Sequence, residues 1–233
     1  MAATKTAQPT TKADHEVVVD RAKDFWTRNN RAVTIIGLAI ILLGGGYLLY
    51  KKMYKEPQEN KASEAMFKAE EYFRGDSLQV ALNGDGINVG FLKVIDKYGS
   101  TKAGNLAKFY AGNCYLQMGD FAKASKYLSD FSTDSKPVQT RGYKLLGDAY
   151  AEQGKNADAL SAYKKAAHNF EEDKASASEY LFVAAYFAQR VMNDTKEATD
   201  LYNELKTKYP QSQRGIEADK YLAQMGVYGD DKK

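Results

Sequence analysis

Residues 143–163 read YKLLGDAYAEQGKNADALSAY. Large side chains stand at Tyr143, Leu146 and Tyr150, glycines at 147 and 154, and then Ala159 and Tyr163 follow. The spacing predicts one helix ending at Gly154, because glycine accepts the left-handed backbone that closes a last turn. A second helix then begins just beyond it. Small residues at 147 and 159 let the two helices cross closely, and the large residues around them fill the gaps between neighbours.

The pattern recurs with periods of 35 and 39 residues. Gly112, Tyr115, Gly119, Phe121, Ala124 and Leu128 form an earlier copy, and Phe182, Tyr186, Ala198, Tyr202, Leu205 and Pro210 a later one. A single pair leaves an apolar face exposed, so the pairs must stack. Residues 212–225, with Ile216, Tyr221, Leu222 and Met225, read as a C-terminal capping helix. A degenerate first pair is expected ahead of the copies. Residues 59–74 carry Ala62, Met66, Ala69 and Phe73 at helical spacing, and residues 86–98 carry Phe91, Leu92 and Ile95. Between them, residues 75–85 read as a long turn containing Leu78, Val80 and Leu82 and closing on Asn83-Gly84-Asp85-Gly86. Its carboxylates do not follow the order of an EF-hand calcium loop. No stretch shows strand alternation bounded by hairpin turns. The expected fold is therefore all-α, an α-solenoid with a capping helix.

Residues 32–50 are nineteen uncharged, mostly apolar positions. As a helix they cover roughly 28 Å, the thickness of a bilayer's hydrocarbon. Trp26 precedes the run, Tyr47, Tyr50 and Tyr54 mark its far side, and Arg28, Arg31, Lys51 and Lys52 bracket it. The lead-in is longer than a usual signal-peptide n-region, and Lys51-Lys52-Met53-Tyr54-Lys55 offers no small-residue cleavage signature. An uncleaved signal anchor is expected. Basic residues balance on its two sides, so charge does not orient it. Gly37, Gly44, Gly45 and Gly46 make no GxxxG pair, and the span holds no ionisable group for a proton or ion relay. Residues 1–13 have a disordered composition. Val18 or Val19, Ala22 and Phe25 or Trp26 suggest a short amphipathic segment ahead of the anchor. The expected organisation is a tail over 1–31, an anchor over 32–50 and a repeat domain over 58–228.

Residues 1–57 carry nine Lys/Arg against five Asp/Glu, and residues 58–233 carry 24 against 25. That near-neutral repeat region argues against a nucleic-acid partner. Cys114 is the single cysteine, and His15 and His168 have no neighbour at zinc-ligand spacing, so neither an internal disulfide nor a metal is expected. Cys114 beside Tyr115 reads as a packed small hydrophobe, and Glu171-Glu172-Asp173 as a solvated charge run. No phosphate loop, zinc pattern or catalytic serine motif occurs. The expectation is a protein without catalytic activity or cofactor.

Over about residues 102–210 the copies resemble the tetratricopeptide repeat. That resemblance implies a concave face lined by the first helix of each pair. Its inward positions fall on Leu106, Phe109, Asn113 and Leu116, on Arg141, Lys144, Asp148 and Ala151, and on Tyr180, Val183, Phe187 and Arg190. Phe109, Asn113, Arg141, Lys144, Tyr180 and Phe187 are the candidate protein-binding residues it implies. Several of these positions equally suit packing between helices. Some arrays of this family clamp a C-terminal carboxylate; here Asn113 fits one clamp position, but Phe109 replaces the lysine and Asp148 adds a repelling charge.

The order of parts is similar to that of the YfgM-type ancillary subunit of the bacterial Sec translocon. Residues 16–50, with Phe25-Trp26, and residues 61–73 carry that similarity. Residues 72–115, with the turn Leu82-Asn83-Gly84-Asp85-Gly86, resemble tetratricopeptide proteins of Bacteroidota. The resemblance implies a single-pass protein of the bacterial inner membrane with a cytoplasmic tail and its repeat domain in the periplasm. There it would help handle translocated envelope proteins, with SecYEG and a membrane-anchored prolyl isomerase as partners. The alternatives are a scaffold for another envelope assembly, such as cytochrome maturation or cell division, and a cytoplasm-facing receptor. Residues 58–233 made without the anchor are expected to fold as a soluble helical domain. A circular dichroism spectrum dominated by sheet would contradict the repeat reading.

Overall fold

The computed structural model describes residues 11–227, without the side chains of residues 11–18 and 22. The proposed disorder of residues 1–13 falls mostly outside that range, as do the side chains of His15, Val18 and Ala22. The chain divides into two compact units, Met1–Pro57 and Gln58–Lys233.

In the first unit α1 (Thr11–Tyr50) is one continuous helix. The separate amphipathic segment expected before the anchor merges into it, because no glycine or proline interrupts residues 11–36. Ile35, Ile36, Leu38, Ile40, Ile41, Leu42 and Leu43 all stand exposed on it. This helix is long and apolar enough to cross a membrane. A π-helical turn, Lys51–Lys55, follows it.

The second unit is a helical array with no strand among the described residues. It opens with α2 (Glu56–Arg74), whose Ala62, Met66 and Ala69 are buried. Residues 75–85, expected as turn, contain a short helix, α3 (Leu78–Asn83). Ala81 and Leu82 anchor it in the same core as Phe91 and Val94. Six residues are too few for helical periodicity to show. The partner helix expected from Gly86 begins only at Phe91: α4 is Phe91–Tyr98. The residues lost to it build a rigid turn. Gly84 and Val89 form a β-bridge, and Gly84 and Gly86 both have positive φ. The Asp85 carboxylate accepts the Tyr72 hydroxyl at 2.6 Å, the Asn88 N–H at 2.6 Å, the Asn88 side-chain amide at 2.8 Å and the Ile87 N–H at 2.8 Å. These donors, the Tyr72 hydroxyl foremost, hold the Asp85 carboxyl well below the usual carboxylate range. The turn therefore keeps this support above the ordinary range and loses it only as pH falls through the lowered value.

Three further pairs follow: α5 (Lys102–Gln117) with α6 (Phe121–Ser129), α7 (Lys136–Glu152) with α8 (Asn156–Asn169), and α9 (Lys174–Arg190) with α10 (Thr195–Lys208). Side-chain oxygens of Thr101, Asp120, Asp173 and Asp194 each accept an N–H of the first turn they precede. Gly119 and Gly154 close α5 and α7 with φ of 79° and 70°. Within pairs the glycines work as contacts. A Cβ on Gly112 would lie 2.5 Å from Leu128, and one on Gly147 would lie 2.5 Å from the Tyr163 ring.

The third pair departs from the repeat frame. Asp120 N–H bonds to Tyr115 O and Lys155 N–H to Tyr150 O, but Asp194 N–H bonds to Ala188 O, one residue further back. The turn after α9 thus holds one extra residue, with Asn193 rather than glycine at positive φ. In α9 the frame moves by one, so that Ala188 answers to Tyr150 and Ala185 to Gly147.

The array ends on α11 (Gln213–Gln224), which buries Ala218 and Leu222. Ile216 stands exposed on it. The Arg214 guanidinium lies 4.1 Å from the centre of the Phe182 ring and bonds both Glu179 oxygens at 2.8 and 3.0 Å. Tyr221 packs against Phe182 and Tyr202, at 5.1 and 5.3 Å between ring centres. Gly147→Leu should cost about 1–3 kcal/mol by overpacking, lowering the melting temperature of the array by roughly 2–12 °C. An unchanged melting curve would show that α7 and α8 do not cross there.

Candidate functional site

α2, α5 and the start of α7 enclose a groove of about 780 Å³. Its floor is apolar: Met66, Ala103 and Phe131 are buried, and Leu106 and Val138 are half-buried. Glu59, Glu70, Lys102 and Asp134 are its charged lining residues. Glu59 belongs to the framework. Its two oxygens accept the Lys102 and Ala103 N–H groups, each at 2.8 Å. A carboxylate there satisfies the open amides at the start of α5 and complements the helix dipole.

The far wall is the linker between α6 and α7. The Asn105 amide donates to the Ser132 carbonyl, the Lys108 ammonium donates to the Asp130 carbonyl at 3.1 Å, and the Thr133 N–H donates to the Gln139 side chain at 2.8 Å. Phe131 wedges under this linker against Phe109, at 5.4 Å between ring centres. The wall is thus fixed by the array itself.

Glu70 faces the groove half-buried and accepts no hydrogen bond among the described residues. Its nearest cation, Arg74, stands 3.6 Å away and is 61% exposed. Burial pushes the Glu70 carboxyl upward, with Arg74 only opposing. Next to it the Tyr110 phenol is raised by burial and then by the Glu70 charge, with Arg74 and Arg141 pulling the other way. Glu70 and Arg74 on α2, Tyr110 on α5 and Arg141 on α7 thus lie near enough to act on one another's charge.

The six residues suggested by the repeat frame do not gather in this groove. Phe109 and Phe187 are core side chains, 6% and 8% exposed, and Phe187 packs edge-on against Tyr163 at 5.3 Å. Asn113 is buried and accepts from the Gln117 side chain. Lys144 pairs with Asp148 at 2.7 Å, and Asp148 also accepts the Tyr163 hydroxyl. Tyr180 is half-buried against the core of α8–α11. Arg141 alone of the six is exposed. The one-residue shift in α9 accounts for Tyr180 and Phe187, and α11 covers the α9 face that the shift turns inward. Of the inward positions, Leu106 does line the groove. Ser63, Met66, Glu70 and the linker residues were missed, because α2 carries no repeat consensus to register them.

Two other clusters bear on chemistry. His168, Glu171 and Glu204 place potential metal-ligand atoms within 4.8 Å of one another. Sequence spacing did not suggest this, since Glu204 comes from the next helix pair. The Lys208 ammonium bonds Glu171 at 2.8 Å and Glu204 at 3.0 Å, supplying the positive charge the carboxylates need. Cys114 is fully buried, and burial pushes its thiol up to about 12, so it holds no thiolate at neutral pH.

Stacked helix pairs with an open groove on their first helices define a protein-interaction module. The chain belongs to the tetratricopeptide repeat-like proteins. The family described as "Tetratricopeptide repeat-like domain" matches residues 23–143, over half the chain, and the family described as "Tetratricopeptide repeat" matches residues 109–178 and 144–212. No curated protein and no solved structure matches it. Phe109→Ala and Phe187→Ala should each cost about 3–5 kcal/mol as core truncations, whereas Arg141→Ala should stay within about 0.5 kcal/mol. Thermal melts of the three variants check this, and an unaffected Phe187→Ala would return that side chain to the list of binding residues.

Proposed function

We propose that the chain is a membrane-anchored protein-binding module that holds a partner polypeptide in the α2–α5–α7 groove. The observation that carries this reading is the groove itself. It joins an apolar floor to charge that is only partly compensated, and the hydrogen bonds of Glu59, Asn105, Lys108 and Gln139 fix its walls before any ligand arrives. A pre-formed site loses less entropy on binding. A helix able to cross the membrane in the same chain raises the effective concentration of a weak site for partners in that membrane.

At finer grain we place the module beside a SecYEG-type channel of a bacterial inner membrane, with the repeat domain in the periplasm, receiving envelope proteins as they emerge. A membrane-anchored prolyl isomerase would work at the same place. The order of parts supports this reading: a single anchor, then a compact array able to bind but holding no evident catalytic set among the described residues.

The test is photo-crosslinking in the full chain with p-benzoylphenylalanine in place of Leu106 or Val138. Adducts with channel subunits or with envelope proteins in transit are expected from both positions and not from Ile216 on the outer side of α11. Equal adducts from Ile216 would remove the groove as the binding surface. Groove adducts made only with cytochrome-maturation or division proteins would replace the translocon reading with the scaffold reading.

A further inference from the structure

The groove carries information about the chemistry of its occupant. Its floor of Met66, Leu106, Phe131 and Val138 calls for an apolar side chain. Its charges are not balanced. Of the four charged residues lining it, Glu59 is spent on the start of α5. That leaves Glu70 and Asp134 against Lys102.

The two carboxylates differ in setting. Asp134 is exposed in the linker and makes no ion pair among the described residues. Glu70 has a side chain only 24% exposed and no hydrogen-bond donor among the described residues. Arg74 offsets it only in part: at 3.6 Å the two form an ion pair without a hydrogen bond, and Arg74 is mostly in water. Burial outweighs Arg74 in setting the Glu70 carboxyl, as expected where the counter-charge stands mostly in water. Among the described residues neither Arg141 nor Lys102 makes a hydrogen bond or ion pair with Glu70. A partly desolvated carboxylate over an apolar floor, held only by a loose and solvent-exposed ion pair, gains most from a donor brought by the ligand.

Resting on the reading of this groove as the binding site, we infer that its occupant is an extended polypeptide segment with an apolar side chain flanked by lysine or arginine. The apolar group lies on Met66, Leu106 and Val138, and the flanking cations meet Glu70 and Asp134. An acidic segment is disfavoured, because it would bury like charge against Glu70.

The probe is a fluorescein-labelled nonapeptide alternating leucine and lysine through its centre, with a second peptide in which glutamate replaces each lysine. Anisotropy is read on the full chain in a neutral detergent, after subtracting protein-free micelles. The leucine–lysine peptide should bind the wild type at least about tenfold more tightly than the leucine–glutamate peptide. That preference should vanish in the isosteric double variant Glu70→Gln/Asp134→Asn, and raising the salt should weaken it. Val138→Lys, which places a cation over the floor, should abolish binding of the leucine–lysine peptide. Equal binding of the two peptides, or an unchanged preference in the double variant, overturns the charge assignment. If Val138→Lys still abolishes binding in that case, the groove remains the site. Binding indifferent to Val138→Lys overturns the groove as well, and no binding of either peptide overturns the proposed occupant.

Discussion

Everything in the repeat domain depends on how closely the two helices of a pair cross. Gly112 against Leu128 and Gly147 against Tyr163 leave no room for even a methyl group. That closeness brings the faces around Ala124, Leu128, Ala159 and Tyr163 into contact at interior density. A pair so formed still has an apolar side, and the next pair covers it. The array is in this sense a chain of nearest-neighbour contacts. The groove is a by-product of the same geometry, opening where first helices line up and second helices do not reach.

Such a chain must be finished at both ends. At the far end α11 supplies a helix without a partner. Arg214 fixes it by stacking on Phe182 and bonding Glu179 and Glu217. It uses up the inner face of α9 to do so. At the near end α2 is finished by Glu59, which bonds the first amides of α5. Within this unit the α2 face borders the open groove. In the same unit α11 packs over α9, while the groove beside α2 stays open. The aromatic residues of α9, attractive as contacts by frame alone, serve packing instead.

The Asp85 turn shows a third way of using local chemistry. Four donors converge on one carboxylate and hold Ile87 outward, 92% exposed. A short helix, α3, replaces what would otherwise be a long unsupported connection. The first pair thereby reaches the packing of a regular repeat without its consensus residues.

The sequence by itself determined the helix pairs and the apolar N-terminal helix. Glycines at 112, 119, 147 and 154 and aromatics at fixed offsets are local requirements of close crossing and of turn closure, and local requirements are written locally. It also determined that Cys114 would be a packed side chain. Tertiary structure alone decided the site. Whether Phe187 or its neighbour Tyr186 turns outward rested on one extra residue in the turn after α9, which alternating apolar residues on a helix buried on several sides cannot register. Whether Glu70 is spent or available depended on where Arg74 and Tyr110 came to lie. Whether α9 or α2 kept an open inner face depended on which end of the array a capping helix covered, and that is fixed by contacts between residues more than thirty positions apart.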